Sequence, residues 1–319
     1  MSICLCMETG EMILDLIALG RLSKGERGGK TELDDCGCNP KEALVAQLML
    51  GLTGQPMHLL VSSASRRSRR KGVVSHVWSG PVPADSLILL VPGIFVASPE
   101  FNALIMMRGC PKMHRPQVLM GYCGLFAIDE SSEDGFVKRV PLTSVRRLRD
   151  YALGMRGEPC AEALLDALDL TLDRVRSPME ARLVLVVLTP RSGGGLGMVP
   201  PECNVELTLN EDGRAIWGFK TIEGDIVWRR WRLVLEYNGR LRHEGRYGDD
   251  LTRANALRTS GYDVMLVTSQ QLKSARQMLV VGEWLAKAMG VSTDDLPQRE
   301  QLQETINSVM SYETPHISL

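Results

Sequence analysis

Two carboxylates, Asp225 and Glu236, carry the clearest chemical signal, because they flank the basic, tryptophan-bearing segment Arg229-Arg-Trp-Arg232. Trp231, Leu233, Leu235 and Tyr237 alternate with Arg232, Val234, Glu236 and Asn238. That period of two marks a half-buried strand. Ile222 to Trp228 is rich in β-formers and can pair back on it. With a turn centred on Arg230-Trp231, Val227 faces Val234 and Asp225 faces Glu236. Directly opposed side chains stand roughly 4.5–5.5 Å apart at Cβ, where two carboxylates repel. A divalent cation makes the pair favourable, since hard cations take carboxylate oxygens. Without a cation, the pair reads as two solvated acids on an exposed sheet face.

Other reactive side chains lie nearby in sequence. His243, with an ordinary pKa of about 6.5, could move a proton near neutrality, or be a plain surface histidine. Asp250 and Arg253 stand one helical turn apart, as a helix-stabilising pair or as a phosphate-binding arginine held by an aspartate. Lys220, Arg229, Arg230, Arg232, Arg240, Arg242, Arg246, Arg253 and Arg258 make this region a candidate for polyanion binding. Farther back, Arg66, Arg67, Arg69, Arg70 and Lys71 crowd one connection. Such a run is a solvated loop or a phosphate-contacting one, and no aromatic interleaves it for base stacking.

The elements that position these groups follow from pattern and punctuation. Residues 1–38 read as a poorly ordered extension, with a short helical run from Glu8 to Leu22 and a glycine-rich Ser23–Lys30. Residues 39–176 read as an N-terminal α+β domain: a helix from Pro40, strands between Met57 and Val96, then helices, the last from Glu158 to Val175. Residues 177–291 form the domain that holds Asp225 and Glu236. Ser177-Pro-Met-Glu180 is a capping box that opens a buried helix to Leu188, so Glu180 has a structural role available. Val205–Leu209 is predicted as a strand, Ala215–Phe219 as another, and the hairpin follows. A helix ends at Gly261, Val264–Val267 is a buried strand, and a long helix reaches about Met289. Residues 292–319 are a last helix and tail. Helix–strand alternation with an antiparallel hairpin implies an α/β fold with a mixed sheet.

The totals constrain little. The chain has 319 residues, 44% hydrophobic and 24% charged, with a formal net charge of −1, ordinary for a globular protein. Eight cysteines include Cys4-x-Cys6 and Cys36-x-Cys38. This spacing is poor for zinc, and free thiols in a reducing compartment are the simpler reading. No secretory signal or uninterrupted apolar span of about 18 residues is present, so a cytoplasmic protein without a membrane anchor is expected.

Taken in order, Glu180, Asp225, Trp228, Arg232-Leu233, Glu236-Tyr-Asn-Gly239, His243, Asp250-x-x-Arg253, Gly261 and Thr268 resemble the PD-(D/E)XK nuclease superfamily, and within it the very-short-patch-repair-like endonuclease domains. The resemblance implies a restriction-endonuclease-like core of a helix, a mixed sheet and flanking helices. It also implies a metal-dependent endonuclease that hydrolyses DNA phosphodiester bonds. Asp225 and Glu236, helped by Glu180, would hold Mg²⁺ (or Mn²⁺), and His243 would serve as base or acid. Arg253, Arg242 and the Arg66, Arg67, Arg69, Arg70 run would contact DNA. Asn238 stands where the superfamily has its lysine and supplies no cation. That departure bears on catalysis more than on fold, and leaves open a non-catalytic DNA-binding regulator that keeps the nuclease fold. Val91-Pro-Gly-Ile-Phe-Val-Ala-Ser-Pro99 resembles, more weakly, AbiEi-type regulators of bacterial toxin–antitoxin systems. This second resemblance implies a defence or toxin–antitoxin setting and a protein partner for the N-terminal domain.

Overall fold

A computed structural model describes residues 2–49, 56–69, 71–239 and 247–312. The protein is mixed α/β, about 45% helix, with a six-stranded and a separate four-stranded mixed sheet. It divides into two compact units, Met1–Tyr122 with Ala127–Asp169 and Pro315–Leu319, and Cys123–Phe126 with Leu170–Thr314. The division precedes the expected boundary at Arg176. The segment before that arginine is hydrogen-bonded into the second unit: Arg174 N donates to Cys123 O and Leu125 N to Val175 O. Among the described residues no helix is long and apolar enough to cross a membrane.

The N-terminal part runs β1 (Ile3–Leu5), α1 (Met7–Ala18), β2 (Arg27–Gly28), α2 (Lys30–Asp35), α3 (Pro40–Met49), β3 (Met57–Val61), β4 (Val73–Val77), β5 (Leu87–Val91) and β6 (Ile94–Ala97). Then come α4 (Pro99–Met106), α5 (Arg115–Cys123), β7 (Phe126–Ile128), β8 (Phe136–Lys138), α6 (Val145–Gly154) and α7 (Pro159–Leu168). The large sheet has the order β2-β5-β6-β1-β3-β4. The first 38 residues are therefore not a loose extension. β1 lies inside the sheet, parallel to β6 (Ile3↔Ile94) and antiparallel to β3 (Leu5↔Leu59). Ile3, Cys4, Leu5 and Cys6 are fully buried. A strand covered on both faces has no alternation to betray it, and this one is three residues long. Even the glycine-rich stretch supplies an edge strand, β2.

The second unit opens with α8 (Pro178–Leu188), whose N-terminus is capped by Ser177 Oγ accepting from Glu180 N at 3.1 Å. It continues with β9 (Glu202–Thr208), α9 (Glu211–Trp217), β10 (Thr221–Trp228), β11 (Leu233–Asn238), α10 (Tyr247–Thr259), β12 (Asp263–Thr268), α11 (Ser269–Leu272), α12 (Ala275–Met289) and α13 (Arg299–Met310). The expected strand Ala215–Phe219 is instead mostly α9. Asn210 Oδ1 accepts from Gly213 N at 2.8 Å, and Gly218 ends the helix at φ 83°. The apolar residues that suggested a strand, Ile216 and Phe219, are exposed. The terminal helix α13 packs on α8 and α12 within this unit.

The small sheet has the order β12-β11-β10-β9; β9, β10 and β11 are antiparallel and β12 runs parallel to β11. β10 and β11 pair Ile226↔Leu235, Val227↔Val234 and Trp228↔Leu233, the register expected from the sequence. The connection is a short 3-10 turn, Arg229–Trp231, closed by Arg232 at φ 53°. One core cluster joins Leu207, Ile222, Val227, Val234 and Val264 to Ala254, Ala256 and Leu257 of α10. Ile222 and Val227 point into the same cluster, although strict alternation would put them on opposite faces. The alternation breaks at Gly224-Asp225.

Candidate functional site

Asp225 sits at that break and falls out of both neighbouring ladders. The β9–β10 pairs include Gly224↔Val205 and Ile226↔Cys203 but skip Asp225 and Asn204 between them. The β10–β11 pairs stop at Ile226↔Leu235. Side chains take over from backbone at this point. Tyr237 N donates to Asp225 Oδ2 at 2.9 Å, and Asp225 N lies 3.4 Å from Glu236 Oε1. The two strands thus part where the two acids meet. Burial raises the Asp225 carboxyl well above the usual carboxylate range, with further pushes from Glu236 and Glu180. The Tyr237 amide and Arg253 oppose them only partly. The neighbouring thiol of Cys203 is raised too, by burial and then by Glu180 and Asp225, which disfavours its thiolate.

Glu180 is buried at the start of α8 and both of its oxygens are occupied. Oε1 accepts from Ser177 Oγ at 3.1 Å; Oε2 accepts from Arg176 N at 3.1 Å and from Asn204 Nδ2 at 2.9 Å. Its pKa is raised by burial, against the pull of those donors. Ser177 caps the helix as expected, but Glu180 does not close a capping box: it accepts from the backbone of Arg176 and from Ser177 Oγ. Asn204 is the residue the sequence did not single out. It is fully buried in β9, takes a left-handed φ of 49°, and also donates Nδ2 to Arg174 O at 2.9 Å. Asparagine tolerates that conformation better than most residues, and an asparagine inside a β-rich run was the available signal.

Arg253 reaches into the site from α10. Its Nη2 donates to Glu236 Oε2 at 2.9 Å and to Glu223 O at 2.7 Å, with the guanidinium over Trp217. Glu223 is paired in turn with Arg176. Several other arginines of the expected polyanion patch serve the fold. Arg229 grips Glu202, Arg232 donates to Ser260 O and Gly261 O at the end of α10, and Arg258 donates to Val264 O. Asn238 ends β11 opposite Thr268. In the first unit Arg66 donates to Cys36 O, while Arg67 and Arg69 are exposed on the connection between β3 and β4. His243, Arg242, Arg70 and the side chain of Asp250 lie outside the described residues.

The donor set fits a hard divalent cation in chemistry: Asp225 and Glu236 offer oxygens in a place where negative charge is under-compensated. Glu180 has less to offer an ion, because it accepts three hydrogen bonds, two of them on Oε2. Among the described residues no three His, Cys, Asp or Glu side chains converge as a metal site. Comparison with known protein families, curated proteins and solved structures finds no match.

Proposed function

We propose that the chain is a DNA-acting protein of the restriction-endonuclease-like class. Its second unit is an endonuclease domain that hydrolyses phosphodiester bonds with Mg²⁺ or Mn²⁺ at Asp225 and Glu236. The observation that carries the reading is the meeting of Asp225 and Glu236 where β10 leaves β11. It is supported by the order of α8, an antiparallel meander, α10 and a parallel β12, the helix–mixed sheet–helix core that the sequence resemblance implies. The ion would polarise the phosphate and make a water acidic enough to attack it. Asp225 and Glu236 would hold it, the Tyr237 amide orients Asp225, and Arg253 fixes Glu236 from the side of α10. His243 remains the proposed proton carrier, and Arg253 and Arg242 the proposed phosphate contacts. Eight cysteines outside any disulfide fit a reducing compartment, so the proposed setting is cytoplasmic. The first unit, with Arg66, Arg67, Arg69 and Arg70, would carry a further DNA contact or a protein partner in a defence or toxin–antitoxin context.

A second reading is favoured by Asn238 at the lysine position and by Arg253 already neutralising Glu236. On that reading the second unit binds DNA without cutting it. Incubation of supercoiled plasmid with the protein and Mg²⁺ or Mn²⁺ separates the two. Nicking that disappears in Asp225→Asn and Glu236→Gln is expected. A salt-dependent gel shift with no cleavage under either ion would select the second reading, and neither shift nor cleavage would refute both.

A further inference from the structure

The acidic site lacks a third oxygen, and Asn204 holds one that nothing uses. Its Oδ1 is buried and without a hydrogen-bond partner, in a residue that is fully enclosed. An orphaned buried acceptor costs about 1–3 kcal/mol, so it calls for a reason. The amide cannot be turned to remove it. Nδ2 faces two acceptors, Glu180 Oε2 and Arg174 O, so the oxygen must point elsewhere. The backbone is held in place as well, since Arg174 Nη2 donates to Asn204 O at 3.2 Å. Asn204 stands opposite Asp225 at the rung that the β9–β10 ladder omits. Strain, burial and an unused oxygen coincide next to two carboxylates.

We propose that Asn204 Oδ1 is the third oxygen ligand of the cation site formed with Asp225 and Glu236, and that Glu180 is the residue that orients the Asn204 amide. Amide oxygens are ordinary ligands of hard cations, and a hydrogen-bonded carboxylate behind a ligand is a common way to aim it. This assignment rests on the metal-site reading above and replaces Glu180 as a direct ligand.

The test is Mn²⁺ affinity measured by calorimetry on the full chain. Glycine accepts φ 49° freely, so Asn204→Gly removes the side chain while keeping the backbone, and it is expected to bind Mn²⁺ at least about tenfold more weakly. Glu180→Gln keeps an acceptor for Nδ2 and is expected to lose less than about threefold. Wild-type affinity in Asn204→Gly overturns the assignment, as does a larger loss in Glu180→Gln than in Asn204→Gly. Asp225→Asn isolates the parent reading: if the wild type binds no Mn²⁺, or Asp225→Asn binds as tightly, the site itself is refuted and the assignment with it. Anomalous diffraction from Mn²⁺-loaded crystals gives a reading independent of any variant. The ion is expected about 2.0–2.6 Å from Asn204 Oδ1, and an ion held by Glu180 with Asn204 left aside overturns the proposal.

Discussion

Each unit packs a group of carboxyls against an arginine, Arg139 in the first and Arg253 beside Glu236 in the second, and the two groups are built differently. In the first unit Glu11 and Asp15 lie one turn apart on α1. Arg139 is sealed beside them, with its side chain 1% exposed. Its Nε donates to Asp15 Oδ1 at 2.6 Å, Nη2 to Gly121 O at 2.6 Å and Nη1 to Val140 O at 2.9 Å. In the second unit Asp225, Glu236 and Glu180 come from two strands and a helix, and the side chain of Arg253 is 24% exposed. There the backbone is distorted at Asn204 and one buried oxygen has no partner. The sealed group has the character of a structural joint. The open one keeps strain, charge and an unused acceptor together, which a fold retains where something binds.

Replacing the arginines sharpens the contrast most. Arg139→Met is expected to cost the first unit about 3–5 kcal/mol, because it strands a buried carboxylate. Arg253→Met should cost the second less than about 2 kcal/mol, since the Arg253 side chain is itself partly exposed and water can enter where the guanidinium stood. Urea unfolding followed for each unit measures both, and equal losses would erase the distinction. Gly224→Ala is expected to destabilise the second unit by about 1–3 kcal/mol. The new Cβ would meet Val227 Cγ2 at 2.7 Å, with Leu207 and Val234 just behind. A neutral result would mean that the strand break at Asp225 is soft.

The pH dependence differs too. Burial raises Glu11 to about 8 and Asp15 to about 6. Folding therefore takes up protons, and stability falls as pH rises from about 4 through 8. Glu11→Gln should match the wild type at low pH and exceed it at pH 8 by up to about 4 kcal/mol. Thermal unfolding across that range would sink the sealed-joint view if the slope is unchanged. In the second unit the raised Asp225 likewise opposes folding near neutrality. Asp225→Asn is expected to stabilise by about 1 kcal/mol, as charge removal at binding sites often does, and calorimetric melting at pH 7 reads it. A destabilised variant would make Asp225 structural after all. Smallest of all, Arg229→Gln removes an exposed pair with Glu202 and should shift stability by no more than about 0.5 kcal/mol. Gel shifts should be equally indifferent, and a marked loss of DNA affinity would return Arg229 to the binding surface.

A turn centred on Arg230-Trp231 makes the hairpin register readable, and Ser177-Pro-Met-Glu180 makes the helix start readable. Both signals are local and repeat the geometry of one element. The break at Gly224-Asp225 was hidden because counting by twos assumes an unbroken strand. Asn204 was hidden because its role comes from Glu180 and Arg174, neither of which is its neighbour in sequence. α9 resembles a strand because Ala215-Ile-Trp looks apolar, whereas the informative residue is the cap at Asn210. β1 gave no periodic signal because both of its faces are covered.

The position of β1 bears on how the protein is made. Ile3 must wait for Ile94 before its rung can form. At about 5–20 residues per second of synthesis, that wait lasts several seconds. During it, the first strand has no partner on that side, and the long separation makes its closure a slow step. Cys4 lies in that strand between β6 and β3 and is fully enclosed once both are in place, so its thiol is protected only after the sheet has closed.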